Sequence, residues 1–254
     1  MSRNLEILEQ VQQDRELFRV LPVANRTAGR GKPSQASTPA VGADGFAHEE
    51  LIGLAQRLFL FLAADKDGSS RMRQVVFCGV DEADGASALC ASLGRILASQ
   101  GASPVCVVDA NVRAPVLQRL LGAEPSAGQG SDQAAAEPQL LEKIEDNLWL
   151  ISGHLAAANG GVTASLNQVR SQMKELPAAF AYVVINAPPV GLYNDAVLLG
   201  QGADGIVLVL EANSTRRVSA RKAKLALEAA NVRVLGVVLT NRTFPIPEKI
   251  YRRL

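Results

Sequence analysis

The chain has 254 residues, 48% of them apolar, which gives room for one sizeable α/β domain with a large core plus extensions. Its 26 basic and 25 acidic side chains leave a net charge of +1, which excludes a dominant nucleic-acid or membrane field and leaves only local patches. No secretory leader and no apolar run of about 18 residues is read, so a cytoplasmic chain that does not itself span a membrane is expected.

Residues 1–21 read as an N-terminal amphipathic helix, with Leu5, Leu8, Val11 and Phe18 along one face. Residues 22–46 are rich in Gly, Pro, Ser and Ala and read as a flexible linker. A second helix is expected over residues 47–65, opening a domain that runs to residue 242. Within it the apolar runs QVVFCGV, PVCVVDA, LWLIS, AYVVINA, GIVLVLE and VLGVVLT are strand candidates. Their near-continuous Val, Ile and Leu content is that of strands buried on both faces. Helices are expected between them, at roughly 86–100, 114–121, 162–176, 193–202 and 215–230, with an irregular insert at 122–139. This alternation predicts an α/β fold: a doubly wound, mostly parallel sheet with helices on both faces, its ligands at the carboxyl ends of the strands. Residues 243–254 form a C-terminal tail in which Ile250, Tyr251 and Leu254 alternate with Lys249, Arg252 and Arg253. It is too short to anchor stably in a membrane alone.

Cys78, Cys90 and Cys106 lack metal-like spacing and are expected as buried, reduced thiols. His48 and His154 have no neighbouring nucleophile or ligand set, and Trp149 is expected in the core. The helix STRRVSARKAKLALEAA carries Arg216, Arg217, Arg221, Lys222 and Lys224. It is expected to expose these charges and to turn Val218 and Leu225 inward. A basic surface for nucleic acid is the alternative.

Three segments carry chemistry. The first strand is followed by VDEADGAS and a helix, the layout of a phosphate-binding loop. The pattern GxxxxGK[ST] fits when Gly85 and Ser87 fill its last glycine and its hydroxyl. Its first glycine then falls on Val80 and its lysine on Ala86. That lysine is the charge that reaches the β- and γ-phosphates, and the hydroxyl holds Mg²⁺. The second segment is VVDANVRAP. Asp109 at a strand end suits activation of a nucleophile, and Arg113 suits the steadying of phosphate charge; alternatively Asp109 caps the next turn and Arg113 is solvated. The third is AYVVINAPP, where Asn186 stands at the position of the metal-supporting aspartate of such folds. An amide there brings no charge to Mg²⁺.

These segments, in this order and spacing, resemble the bacterial tyrosine kinase family, deviant P-loop ATPases of capsule and exopolysaccharide export related to ParA and MinD. The resemblance spans about Glu49 to Leu239 and rests mainly on Asp109 to Arg113 and Asn186 to Pro189. It implies a P-loop NTPase-like fold, binding of Mg-ATP or ADP through Gly85, position 86, Ser87 and Arg113, and metal support from Ser87 and Asp109. It also implies catalysis involving Asp109 and position 186, and a tyrosine-rich tail phosphorylated between subunits. The chain departs from that pattern at Ala86, Asn111 and Asn186. The family oligomerisation motif maps onto Glu49, Ile52 and Ala55 with both arginines missing, and Tyr251 stands alone in the tail. The loop adds Asp81, Glu82 and Asp84, which repel a triphosphate.

The expectation is therefore a degenerate member, a regulatory or scaffolding partner in exopolysaccharide synthesis or export with nucleotide binding weak or absent. By resemblance its partner is an inner-membrane polysaccharide co-polymerase protein, which would hold it at the membrane periphery. Self-association would proceed without the family motif, and no specific nucleic acid is expected. The alternatives are an active Mg-ATP-dependent tyrosine autokinase and, more distantly, a ParA/MinD-like positioning ATPase.

Overall fold

The computed structural model describes residues 20–21, 48–63, 73–81, 85–100, 103–123, 141–152, 161–176 and 180–241. The expected helix over the first nineteen residues, the linker, most of the 122–139 insert and the C-terminal tail with Tyr251 lie outside the described residues.

Among the described residues eight strands form one sheet in the order β1-β8-β7-β2-β6-β3-β5-β4. They are β1 (Val20–Leu21), β2 (Arg73–Gly79), β3 (Val105–Asp109), β4 (Leu141–Glu145), β5 (Leu148–Ile151), β6 (Tyr182–Ala187), β7 (Gly205–Glu211) and β8 (Val234–Thr240). All neighbouring strands run parallel except β4 and β5. The helices are α1 (His48–Ala63), α2 (Ala86–Gln100), α3 (Leu117–Leu120), α4 (Gly161–Lys174), α5 (Asp195–Gly200) and α6 (Arg217–Ala229).

Side chains alternate across each strand, so every central strand feeds two cores. Val75, Phe77, Val105, Val107, Leu148 and Leu150 pack with Leu51 of α1, Leu89 and Leu93 of α2, and Leu117 of α3. On the other face Val76, Cys78, Cys106, Val108 and Ile151 pack with Leu166 and Val169 of α4, Leu199 of α5 and Leu227 of α6. Each fully buried aliphatic side chain contributes about 1.5–3 kcal/mol. The doubly wound architecture is thus as the sequence indicates. The three cysteines are buried and none is in a disulfide. Trp149 is half-buried against the second core and meets the Phe180 ring edge-on at 6.1 Å.

Four local expectations change. Val20 and Leu21, read as the end of the first helix, pair as strand with Val237 and Val238. Leu141–Glu145, read as no element, is an antiparallel edge strand. The helix expected at 114–121 shortens to the four residues of α3, because the preceding stretch turns under the control of Asp109. In α6 the inward residues are Ala220, Ala223 and Leu227, while Val218 and Leu225 point outward.

The reversal in α6 explains how Val80 is accommodated where a phosphate loop has glycine. Val80 is buried against Ala220 and Ala223, with Val190 and Leu210 alongside. Small alanines let α6 come close enough to cover it. The loop after β6 then closes over the end of β2: Val190 N–H donates to Gly79 O at 2.9 Å and Gly191 N–H to Val80 O at 3.2 Å. A Cβ at Gly191 would collide with the Val80 carbonyl oxygen, a backbone atom that cannot swing aside. Gly191→Ala should therefore lower stability by about 1–3 kcal/mol through overpacking. The check is the denaturant midpoint, and an unchanged midpoint would mean that this loop is not held against β2.

Candidate functional site

The site forms at the carboxyl ends of β2, β6 and β3, which are consecutive in the sheet. Asp109, the last residue of β3, lies in register with Asn186, near the end of β6. Gly85 has a φ of 75° that suits glycine, and α2 begins at Ala86. Three segments far apart in sequence are thereby brought to one point.

Their side chains form a single hydrogen-bonded line. Ser87 Oγ donates to Asn186 Oδ1 at 3.3 Å, and Asn186 Nδ2 donates to Asp109 Oδ1 at 3.1 Å. The second carboxylate oxygen, Asp109 Oδ2, accepts from Val116 N–H at 2.8 Å and Leu117 N–H at 2.9 Å. Asp109 thus caps the start of α3 from eight residues upstream of Leu117. Asp109 is 1% exposed. Burial pushes its carboxyl above the ordinary 3.8, although the Leu117 N–H, the Asn186 amide and the Val116 N–H all favour the charged form.

A cavity of about 250 Å³ opens beside this line. Gly79, Asp81, Gly85 to Ala88, Asn111, Leu120 and Asn186 to Pro189 border it, with Pro188 not among them. Asp81 is the one charged side chain among these lining residues. The first-turn amides of α2 have no intrahelical acceptors and favour an anion here. Of the expected site residues, Gly85, Ala86, Ser87 and Asn186 line the cavity, while Asp109 sits buried behind Asn186.

Arg113, expected to steady phosphate charge, is not among the lining residues. Its Nε and Nη2 both lie 3.2 Å from Asp195 Oδ2, and its guanidinium stacks 4.2 Å from the centre of the Tyr193 ring. This clamp ties the turn after β3 to the loop before α5, and such stacking over an aromatic face is favourable for arginine. Arg216 and Arg217, which could have supplied a substitute cation, are exposed on α6 and also do not line the cavity. Of the positions that mapped onto the oligomerisation motif, the two without arginine pack inward, Ala55 buried and Ile52 against the first core, while Glu49 is exposed. No cluster of three or more metal-ligating side chains exists among the described residues.

Sequence reasoning did not find the Asp195–Tyr193 partner of Arg113. The one available signal was an acidic residue at a helix start, where the dipole favours it. It also missed Thr240, whose side chain lies 3.7 Å from where a Gly85 Cβ would sit.

No protein-family model matches the chain. Among curated proteins it is 27% identical over 175 residues to the tyrosine-protein kinase YwqD of Bacillus subtilis, covering 68% of this chain and 73% of YwqD. It is 26% identical over 164 residues to the tyrosine-protein kinase CpsD of Streptococcus agalactiae, covering 63% and 71%. Among solved structures, the kinase domain of the Escherichia coli tyrosine kinase ETK aligns with a TM-score of 0.65 at 16% identity, over 92% of this chain and 94% of that one. The septum site-determining protein MinD of Pyrococcus horikoshii, complexed with Mg-ADP, aligns with a TM-score of 0.50 at 18% identity, over 66% and 70%. The chain is similar to bacterial tyrosine kinases of this type, and its fold is that of the P-loop ATPases around them.

Asp109 has a folded pKa above its unfolded value, so the native state binds the extra proton in the window above pH 3.8. Stability therefore falls as pH rises through that window. In Asp109→Asn either amide orientation aims an NH₂ at a donor, so about 1–3 kcal/mol should be lost, and the pH slope there should flatten. Chemical denaturation across acidic pH measures both; an undiminished slope would assign it to another group.

Proposed function

We propose that this chain is a degenerate, tyrosine-kinase-like P-loop protein that acts as a regulatory or scaffolding partner in exopolysaccharide synthesis or export, with nucleotide binding weak or absent. The observation that supports it is the closed line from Ser87 through Asn186 to Asp109, set beside a cavity in which, among the described residues, the one charged lining side chain is acidic. The hydroxyl that would hold Mg²⁺ donates to an amide instead, and that amide brings no charge to a metal. These residues do not fit Mg²⁺ and a triphosphate. A unit-charge contact at 4 Å near a protein surface is worth about 4 kcal/mol before desolvation. Loss of the lysine's attraction alone therefore weakens a triphosphate by orders of magnitude, each ~1.4 kcal/mol being tenfold. Phosphoryl transfer depends on positioned positive charge, so turnover suffers more than binding.

The retained fold leaves surfaces for a partner, and the similarity to capsule-type kinases makes an inner-membrane polysaccharide co-polymerase the partner of choice. That partner would hold the chain at the membrane periphery; among the described residues no helix is long and apolar enough to cross a membrane. A second reading, an active autokinase, rests on the similarity to proteins named tyrosine kinases. It predicts Mg-ATP-dependent phosphotyrosine.

Calorimetric titration with ATP and ADP, with and without Mg²⁺, separates the two. The native chain should give no binding heat in the micromolar range, whereas an Ala86→Lys, Asn186→Asp double variant should bind Mg-ATP. The single Ala86→Lys variant keeps the buried line intact and guards against loss of fold in the double variant. Micromolar Mg-ATP binding by the native chain, or phosphotyrosine formed on incubation, would sink the proposal.

A further inference from the structure

Helix α6 is apolar on two opposite faces. One, formed by Ala220, Ala223 and Leu227, is buried on the sheet. The other carries Val218, 80% exposed, and Leu225, 51% exposed. Val218, Leu225 and the exposed Ala229 are seven and four residues apart, so at about 100° per residue they lie in line along the outer crest. Arg221 and Lys222 are exposed on either shoulder of that crest, and Arg216 and Arg217 are exposed where the helix begins. Glu228 lies on the same side as Arg221, about 20° further from the crest, and is held by Lys224 at 2.8 Å. The outer face therefore has an aliphatic centre, cationic shoulders and no acidic side chain on the crest.

A single exposed Val or Leu is ordinary on a protein surface. The pattern carries the argument. We propose that the outer face of α6 docks directly on an anionic lipid surface, with Val218 and Leu225 dipping between headgroups and Arg221 and Lys222 meeting their charge. A nucleic-acid backbone would use the cations and leave both aliphatic side chains in water. Protein interfaces concentrate aromatic anchors at their centre, and this crest holds small and mid-sized aliphatics with no aromatic. A lipid surface rewards both halves of the pattern without requiring a shaped groove. The surface is independent of the cavity, so the proposal stands or falls whether or not nucleotide binds.

The test is co-sedimentation of the full chain with vesicles of phosphatidylcholine and phosphatidylglycerol, against vesicles of phosphatidylcholine alone. The native chain should pellet with the anionic vesicles at low salt and be released as salt rises. A Val218→Ser, Leu225→Ser pair keeps every charge and should partition about tenfold less. An Arg221→Gln, Lys222→Gln pair should weaken binding about fivefold per residue. All four positions are exposed, so thermal midpoints should match the native one and confirm intact variants. A native chain that stays in solution with anionic vesicles would overturn the proposal. So would a serine pair that pellets like the native chain, since binding would then come from elsewhere. Tighter retention on duplex DNA than on vesicles, unaffected by the serine pair, would reassign the face to nucleic acid.

Discussion

The arrangement at the sheet's carboxyl edge depends on how one buried carboxylate is satisfied. Asp109 is nearly inaccessible, and an isolated charge in such a place is costly unless hydrogen-bonded. It obtains donors from the Asn186 amide on the neighbouring strand, from the Asn111 backbone amide just past its own strand, and from the Val116 and Leu117 amides at the start of α3. These contacts fix the end of β3 against β6 and fold the connection to α3 back over the strand end. Ser87 joins the same line from the first turn of α2. One polar chain thus sets the relative positions of two strands and two helices.

That dependence explains what was legible in the sequence. The strands β2, β7 and β8 announce themselves as apolar runs, because both of their faces are covered. The edge strand β4 did not, since LEKIE has three charged residues in five and its burial is partial. Its partner β5 supplies the pairing that its own residues do not advertise. In α6 the larger apolar residues attract attention, yet the buried stripe consists of two alanines and a leucine. Close approach to Val80 favours small residues there, which is a tertiary demand invisible to periodicity.

The site was legible in part for the same reason. Gly85, Ser87, Asp109 and Asn186 stand at strand ends or a helix start, and a parallel sheet gathers such positions at one edge. Arg113 was not, because a long cationic side chain chooses its partner from whatever the fold brings near. Here it finds Asp195, 82 residues away, and the face of Tyr193. The ion pair is partly solvent-exposed and contributes little by itself. Combined with stacking, it aligns two loops that flank the cavity.

The substitutions at this edge are interdependent. With Asn at position 186, the amide can accept from Ser87 while donating to Asp109, so all three groups are paired. An aspartate there could accept from Ser87 but would face Asp109 with a second acceptor at about the same distance. Two carboxylates that close do not both ionise without a cation between them. An aspartate at 186 therefore makes sense only together with groups that recruit positive charge, and Ala86 supplies none. Residues in one polar network couple rather than add. The neutral residues at 86 and 186 form a self-consistent set, in which reverting the strand-end residue alone would cost stability before it could restore any chemistry.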